Sequence, residues 1–177
     1  ALAFESNRGD LAYIGLYTSD DEPIRYLSPS TSRDSLPRWS PDGTRIAFVR
    51  QPGRGGPATP PLERRPSPWS LWVADAKSGE ARQVWQSPAT LAGSYPRVMN
   101  GANLAWGAGD RLVFLSYQDG WPHLYSVPAA GGDAVLLTPG RFMVEHVTLT
   151  PDRRHVVYSA NAGSEADDIE RRHLFRV

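Results

Sequence analysis

The 177-residue chain contains no cysteine, which excludes disulfide staples and thiolate metal centres and leaves the redox compartment open. It has no excess charge of either sign: nineteen basic residues balance nineteen acidic ones. No bulk field therefore recruits nucleic acid or an anionic membrane surface. No apolar run approaches the roughly 18 residues of a membrane span. No segment sustains the i, i+3, i+4, i+7 pattern for two turns, so no helix is predicted. The chain opens Ala-Leu-Ala-Phe-Glu, without an initiator methionine or a signal peptide, and reads as a piece of something larger.

What is present points to β structure. Hydrophobic residues make up 40% and charged residues 21% of the chain, the balance of a folded globular protein. Six tryptophans and seven tyrosines stand among 16 glycines and 16 prolines, as expected of many short strands joined by tight turns. The organising stretch is Leu36 to Arg50. Ser40-Pro41-Asp42-Gly43 carries turn chemistry: proline presets φ, aspartate bonds nearby backbone and glycine accepts φ > 0. In the strand that follows, Ile46, Phe48 and Arg50 fall on one face and Ala47 and Val49 on the other, a strand predicted to be buried on both sides.

The hairpin recurs. Phe4, Phe48, Phe114 and Tyr158 occupy the same place in successive units, roughly 44 residues apart except for a longer middle interval. That interval holds two irregular stretches, Pro52 to Pro68 and Ser87 to Gly101. Units of about 40–45 residues with four strands each are the signature of propeller blades, which bury their faces only by stacking on one another. The expected fold is all-β, a β-propeller segment of about three and a half four-stranded blades. Residues 1–35 form an incomplete blade, 36–101 a blade with long inserts, 102–141 a compact blade and 142–177 a second incomplete one. An open β-sandwich is the alternative, but it does not require one hairpin pattern at one period.

Few residues offer chemistry. His123, His146, His155 and His173 sit in or beside separate strands, with no H-x-H or H-x-x-x-H spacing, so they are assigned to the fold and to no metal site. Glu165, Asp167, Asp168 and Glu170 crowd one loop, but their spacing does not match a calcium loop. Arg54, Arg64 and Arg65 lie among prolines and read as a surface loop on the rim. Trp39, Trp69, Trp72 and Trp106 are core candidates. Trp121, directly after a turn, is the tryptophan expected to face solvent and a substrate channel.

Trp39-Ser40-Pro41-Asp42-Gly43-Thr44-Arg45-Ile46-Ala47-Phe48 resembles a blade motif shared by the periplasmic propeller of the Tol system and the N-terminal propellers of prolyl-oligopeptidase-family serine peptidases. Asp119-Gly120-Trp121-Pro122-His123-Leu124-Tyr125 and Leu137-Thr138-Pro139-Gly140-Arg141-Phe142-Met143-Val144 are similar to the dipeptidyl peptidase IV branch of those bacterial peptidases. Phe142 stands where that branch usually has tryptophan. The resemblance implies an accessory propeller that gates and orients peptide substrate for a separate α/β-hydrolase domain of the parent chain. It also implies a pair of adjacent glutamates holding the substrate amine, yet no two glutamates are adjacent here. Gly-x-Ser is absent as well, so the segment is expected to hold no catalytic residue. Trp121 and His123 are then the candidate substrate-binding residues, with no cofactor. A periplasmic location is favoured over a cytoplasmic one. The open arc is expected to close with further blades or as a homodimer. The alternative is a non-enzymatic interaction propeller like that of the Tol system.

Overall fold

The computed structural model describes residues 1–56, 60, 62–96, 103–163 and 171–177. Among them every regular element is a strand, fourteen in all. Strands β1 (Leu2–Arg8), β2 (Leu11–Tyr17) and β3 (Arg25–Tyr26) make an incomplete first blade. A full blade follows in β4 (Ser32–Trp39), β5 (Arg45–Pro52), β6 (Ser70–Asp75) and β7 (Ala81–Gln86). The third is β8 (Ala105–Gly107), β9 (Arg111–Ser116), β10 (His123–Pro128) and β11 (Val135–Leu136). The fourth holds β12 (Val144–Leu149), β13 (Val156–Ala160) and β14 (His173–Arg176). Neighbours within each blade are antiparallel, and one parallel bridge, Ala12 to Arg33, joins the first sheet to the second. The chain is a partial β-propeller.

Three apolar layers lie between the blades, and single strands feed two of them at once. Ile46 and Phe48 of β5 pack into the layer shared with Ile14 and Leu16 of β2. Ala47 and Val49, on the other face of β5, join Leu112 and Phe114 of β9. Val113 and Leu115 of β9 then meet Val156 and Tyr158 of β13. The alternation of Cβ atoms along a strand is what lets one strand glue two neighbours. Each full burial of such a side chain stabilises by roughly 1.5–3 kcal/mol.

The recurring aromatic has a structural partner. Phe48 faces Trp72, Phe114 faces Tyr125 and Tyr158 faces Phe175 as cross-strand pairs, with ring centroids 6.5, 5.9 and 5.6 Å apart. Such pairs are the unit of sheet stabilisation. In the first blade the partner of Phe4 is Gly15. The ring lies over the bare backbone, so that a Cβ built on Gly15 would come within 2.5 Å of Phe4 Cζ.

Two of the hairpin turns, in the second and fourth blades, are cages built around one carboxylate. Asp42 Oδ1 accepts from the Ser40 hydroxyl at 2.5 Å, the Thr44 hydroxyl at 2.8 Å and the Thr44 N–H at 3.0 Å. The Ser40 oxygen in turn accepts from the Arg45 N–H. Thr150, Asp152 and Arg154 repeat the arrangement in the fourth blade. These bonds to the ionised form pull the Asp42 carboxyl down to about 2 and lower that of Asp152.

Neighbouring blades are also tied at this end. Arg82 of β7 donates to Ala129 and Ala130 carbonyls of the third blade at 2.9 and 2.7 Å. Arg25 of β3, at the same register position, donates to the carbonyls of Ala76 and Lys77 in the second. Arg45 grips Asp110 in a fork of two 2.9 Å bonds, and Ala108 N–H reaches the Arg153 carbonyl.

One difference from the sequence reading has a local cause. The inner strand β4 starts at Ser32 rather than Leu36, because Leu36 sits in the left-handed region (φ 55°) within a bulge between Ser35 and Arg38. His146 repeats this at φ 50° in β12. An extra residue at each place breaks the two-residue alternation, and in β4 it hides the first half of the strand. In the third blade Asn103 stands near that place. Its amide bonds both the N–H and the carbonyl of Leu115, at 2.6 and 3.0 Å, so a side chain continues the ladder.

Candidate functional site

The connections leaving each blade divide by length. Those inside the β4–β5, β8–β9 and β12–β13 hairpins, and those from β6 to β7 and from β10 to β11, are short turns. The long segments after β5 and after β7 leave from the opposite end of the same sheet. They are tied to each other there: Tyr95 N–H donates to the Ser67 carbonyl at 2.9 Å and Ser67 N–H to the Ser94 hydroxyl at 3.0 Å. Tyr95 also packs edge-on against Trp69, centroids 5.2 Å apart. The Asp119 to Pro122 connection of the third blade leaves from the same end, because it too joins a second strand to a third. Apart from the seven-residue β2–β3 connection of the first blade, one end of the blades is held by short turns, and the other carries the long inserts over a rigid scaffold, an arrangement in which binding surfaces can be built.

On this end the structure places the two candidate residues differently. Trp121 is 36% exposed and stands on the rim, as expected for a contact residue. His123 is only 1% exposed. Gly120, at φ 94°, turns the chain so that Asp119 folds back over the following residues. Asp119 Oδ2 lies 2.6 Å from His123 Nδ1, and Oδ1 accepts from the Trp121 N–H at 3.3 Å. An ionised carboxylate only accepts, so the imidazole proton is on Nδ1. The Phe142 ring meets the imidazole edge-on at 5.2 Å, and Nε2 is buried with no partner among the described residues. Burial pushes the Asp119 carboxyl up, but the hydrogen bonds from His123 and the Trp121 amide outweigh it and leave it lowered. Burial and the Asp119 charge push the Tyr125 phenol up to about 12, so it stays a neutral hydroxyl. His123 thus positions the loop that carries Trp121.

The other candidates are not gathered. His146 and His173 belong to different strands and His155 precedes a third; no group of three or more His, Asp or Glu side chains suited to a metal ion occurs among the described residues. The acidic stretch Glu165 to Glu170 lies outside the described residues, as do parts of both long inserts. Arg65 forms a fork with Glu63 at 2.6 and 3.0 Å in solvent. Trp69 and Trp106 are buried, while Trp39 and Trp72 are half-buried.

Sequence reasoning missed the most strongly built polar feature on this end. Arg50, at the end of β5, is 8% exposed, and Asp34 of β4 is fully buried. Arg50 Nε and Nη2 donate to the two Asp34 oxygens at 2.7 and 2.8 Å, and Nη2 also donates to the Ser28 carbonyl at 2.7 Å. The guanidinium lies 4.3 Å from the Trp72 ring centroid. Burial pushes the Asp34 carboxyl up against the opposing pull of Arg50. The signal was available: Arg50 shares the face of Ile46 and Phe48, where a charge needs a buried partner.

With the geometry in place, comparison with known proteins is informative. The family model described as the dipeptidyl peptidase IV (DPP IV) N-terminal region matches residues 62–177. A protein of Emericella nidulans, described as a probable dipeptidyl peptidase 4, is 35% identical over 78 residues, which is 42% of this chain and 10% of that protein. A structure from Bacteroides ovatus described as a dipeptidyl aminopeptidase IV aligns over 94% of this chain and 24% of its own, with TM-score 0.62 and 19% identity. TolB from Acinetobacter baumannii aligns over 93% of this chain and 34% of its own, with TM-score 0.52 and 15% identity. The two structural likenesses are likenesses of fold. The chain spans only a small part of the length of each of these proteins.

Proposed function

Because the chain belongs to the family of dipeptidyl peptidase IV N-terminal regions, we propose that it serves as the accessory propeller of a dipeptidyl-peptidase-type enzyme, orienting and gating peptide substrate for a separate hydrolase domain. The observation that carries this reading is the loop end just described. The two long inserts emerge there, and the backbone of Trp121 is held at that end by a carboxylate bonded to a buried imidazole. The Asp119 carboxylate holds the backbone N–H of Trp121, so the half-exposed indole projects from a fixed main-chain position and offers a flat apolar surface suited to stacking on a proline ring or an aliphatic side chain. Trp121 is the contact residue in this reading, with Asp119 and His123 positioning it. Its partners are the hydrolase domain of the parent chain and the peptide. Closure of the ring by further blades or by a second copy, and a periplasmic location, belong to the same proposal.

The test is cleavage by the full-length protein. It should release p-nitroaniline from an Ala-Pro or Gly-Pro p-nitroanilide, and Trp121→Ala should raise KM about tenfold with kcat nearly unchanged. The reading falls if no such substrate is cleaved. A second reading, an interaction propeller without hydrolysis, has the TolB likeness behind it. It predicts recovery of a bound protein partner and no cleavage.

A further inference from the structure

A cleft of about 480 Å³ opens on the loop end of the second blade, on the face turned towards the first. It exists because β3 is two residues long while β7 is six, so the upper outer part of that face is left uncovered. Arg50, Ser70, Trp72, Gln83 and Gln86 line it, with Pro52 and Pro68 at its sides. Gln83 and Gln86 are three residues apart and would point to opposite faces of a regular strand. A bulge prevents this. Ser70 pairs with Gln86 and Trp72 with Gln83, with Val84 left over, so both amides share the face of Ser70 and Trp72.

The hydrogen-bonding groups in the cleft are uncommitted in a specific pattern. Arg50 is more than nine-tenths buried, and its Nη1 makes no bond to any described residue, whereas Nε and Nη2 are fully used. The Gln83 amide makes no bond to a described residue, and Gln86 uses only its Nε2, on the Trp69 and Ser87 carbonyls. Nη1 and the Gln83 nitrogen can donate, and the two glutamine oxygens can accept. Arg50 is the one ionisable side chain lining the cleft, and its charge is already balanced by Asp34. The site therefore suits neutral amide groups rather than a phosphate or carboxylate. Gln83 and Gln86 face residues two apart on β6, about 7 Å along the strand, which is the same-side repeat of an extended polypeptide.

We propose that this cleft binds an extended segment of polypeptide by its main-chain amides, as an exosite for the body of a substrate whose N-terminal end is processed elsewhere. The inference rests on the accessory-propeller reading for its biological role, but its test does not depend on catalysis. Intact full-length protein is titrated with acetyl-(Ala-Pro-Ala)3-amide, a peptide blocked at both ends and uncharged, while intrinsic tryptophan fluorescence and calorimetric heat are recorded. Saturable binding is expected, weakened at least tenfold in Gln83→Ala/Gln86→Ala, whose exposed side chains can be removed without disturbing the core. Arg50→Lys, which keeps a charge beside Asp34 but removes the free donor pair, should weaken binding similarly. Binding should persist between 50 and 500 mM salt, on the order of a twofold change at most, because no net charge is engaged. Absence of binding at millimolar peptide, or equal affinity in the glutamine double variant, overturns the exosite whether or not the protein cleaves dipeptide substrates. A salt-sensitive affinity that collapses over that range overturns the amide assignment in favour of an anion site.

Discussion

Replacing Asp34 by asparagine keeps the shape of the side chain and removes its charge. In the native fold both Asp34 oxygens hold the Arg50 guanidinium, and the two side chains are 0% and 9% exposed. After the change Arg50 keeps the Ser28 carbonyl and the rings of Trp72 and Phe48, at 4.3 and 5.4 Å, but no counter-charge. An uncompensated buried charge costs about 3–5 kcal/mol. For a domain of this size that lowers Tm by roughly 10 °C. Replacing both partners, Asp34→Asn with Arg50→Met, removes the charge together with its partner and should return to within about 1–2 kcal/mol of the native protein. Urea unfolding followed by tryptophan fluorescence measures these two variants and the single Arg50→Met, which together close a double-mutant cycle. If Asp34→Asn alone lies within about 1 kcal/mol of native, the pair is not the buried, fully engaged unit described here.

Gly15→Ala should destabilise by about 1–3 kcal/mol because the new methyl meets the Phe4 ring at 2.5 Å; adding Phe4→Ala should abolish that penalty's dependence on residue 15, checked by thermal melts of the four combinations. Asn103→Ala leaves the N–H and carbonyl of Leu115 without partners and should cost about 2–4 kcal/mol, read from urea curves. The Arg45–Asp110 fork is partly in solvent, with side chains 30% and 46% exposed, so Arg45→Ala should cost no more than about 1 kcal/mol and lose much of that in high salt. For pH, the Asp42 carboxyl lies near 2 in the fold against about 3.9 in an unfolded chain. Its contribution is therefore present above pH ~4 and is lost as pH falls towards 2. Asp152 acts in the same sense, and the raised Asp34 in the opposite one. Asp42→Asn with Asp152→Asn should make the acid limb of the stability profile shallower; an unchanged limb refutes the cage.

How much of this was legible follows from which signals are local. Strands β2, β7 and β12 have the bounds that alternation and turn residues indicate, and the two-faced burial of β5 follows directly from Ile46-Ala47-Phe48-Val49. What stayed hidden is what a bulge does to alternation. The left-handed residues Leu36 and His146 carry no glycine to announce them, and the early half of β4 was lost with them. The Val84 bulge places Gln83 and Gln86 on one face, something a strict period of two denies. Asn103 acting as a strand, and Asp34 reaching Arg50, depend on pairings between segments that sequence order does not specify. His123 was offered beside Trp121 as a substrate-binding candidate, and its near-complete burial against Phe142 could not be seen from a motif that treats both residues alike.

The two long inserts, by contrast, were visible as breaks in the hairpin repeat, and the structure places both at one end of the blades. At the turn end, carboxylates of Asp42 and Asp152 close the hairpins, Arg25 and Arg82 bind carbonyls of the next blade, and Ala108 bonds Arg153. In the β4–β5 and β12–β13 hairpins a longer connection would break the carboxylate cage that closes the turn, although the first blade carries seven residues between β2 and β3 at the same end without losing the Arg25 tie. Lengthening a surface loop elsewhere costs only about 0.6 kcal/mol per doubling. The long Pro52 to Pro68 and Ser87 to Gly101 stretches both leave from the end that carries Trp121 and the Arg50 cleft. Insert position, read against the hairpin repeat, thus singles out one end of the blades before any individual residue there can be named.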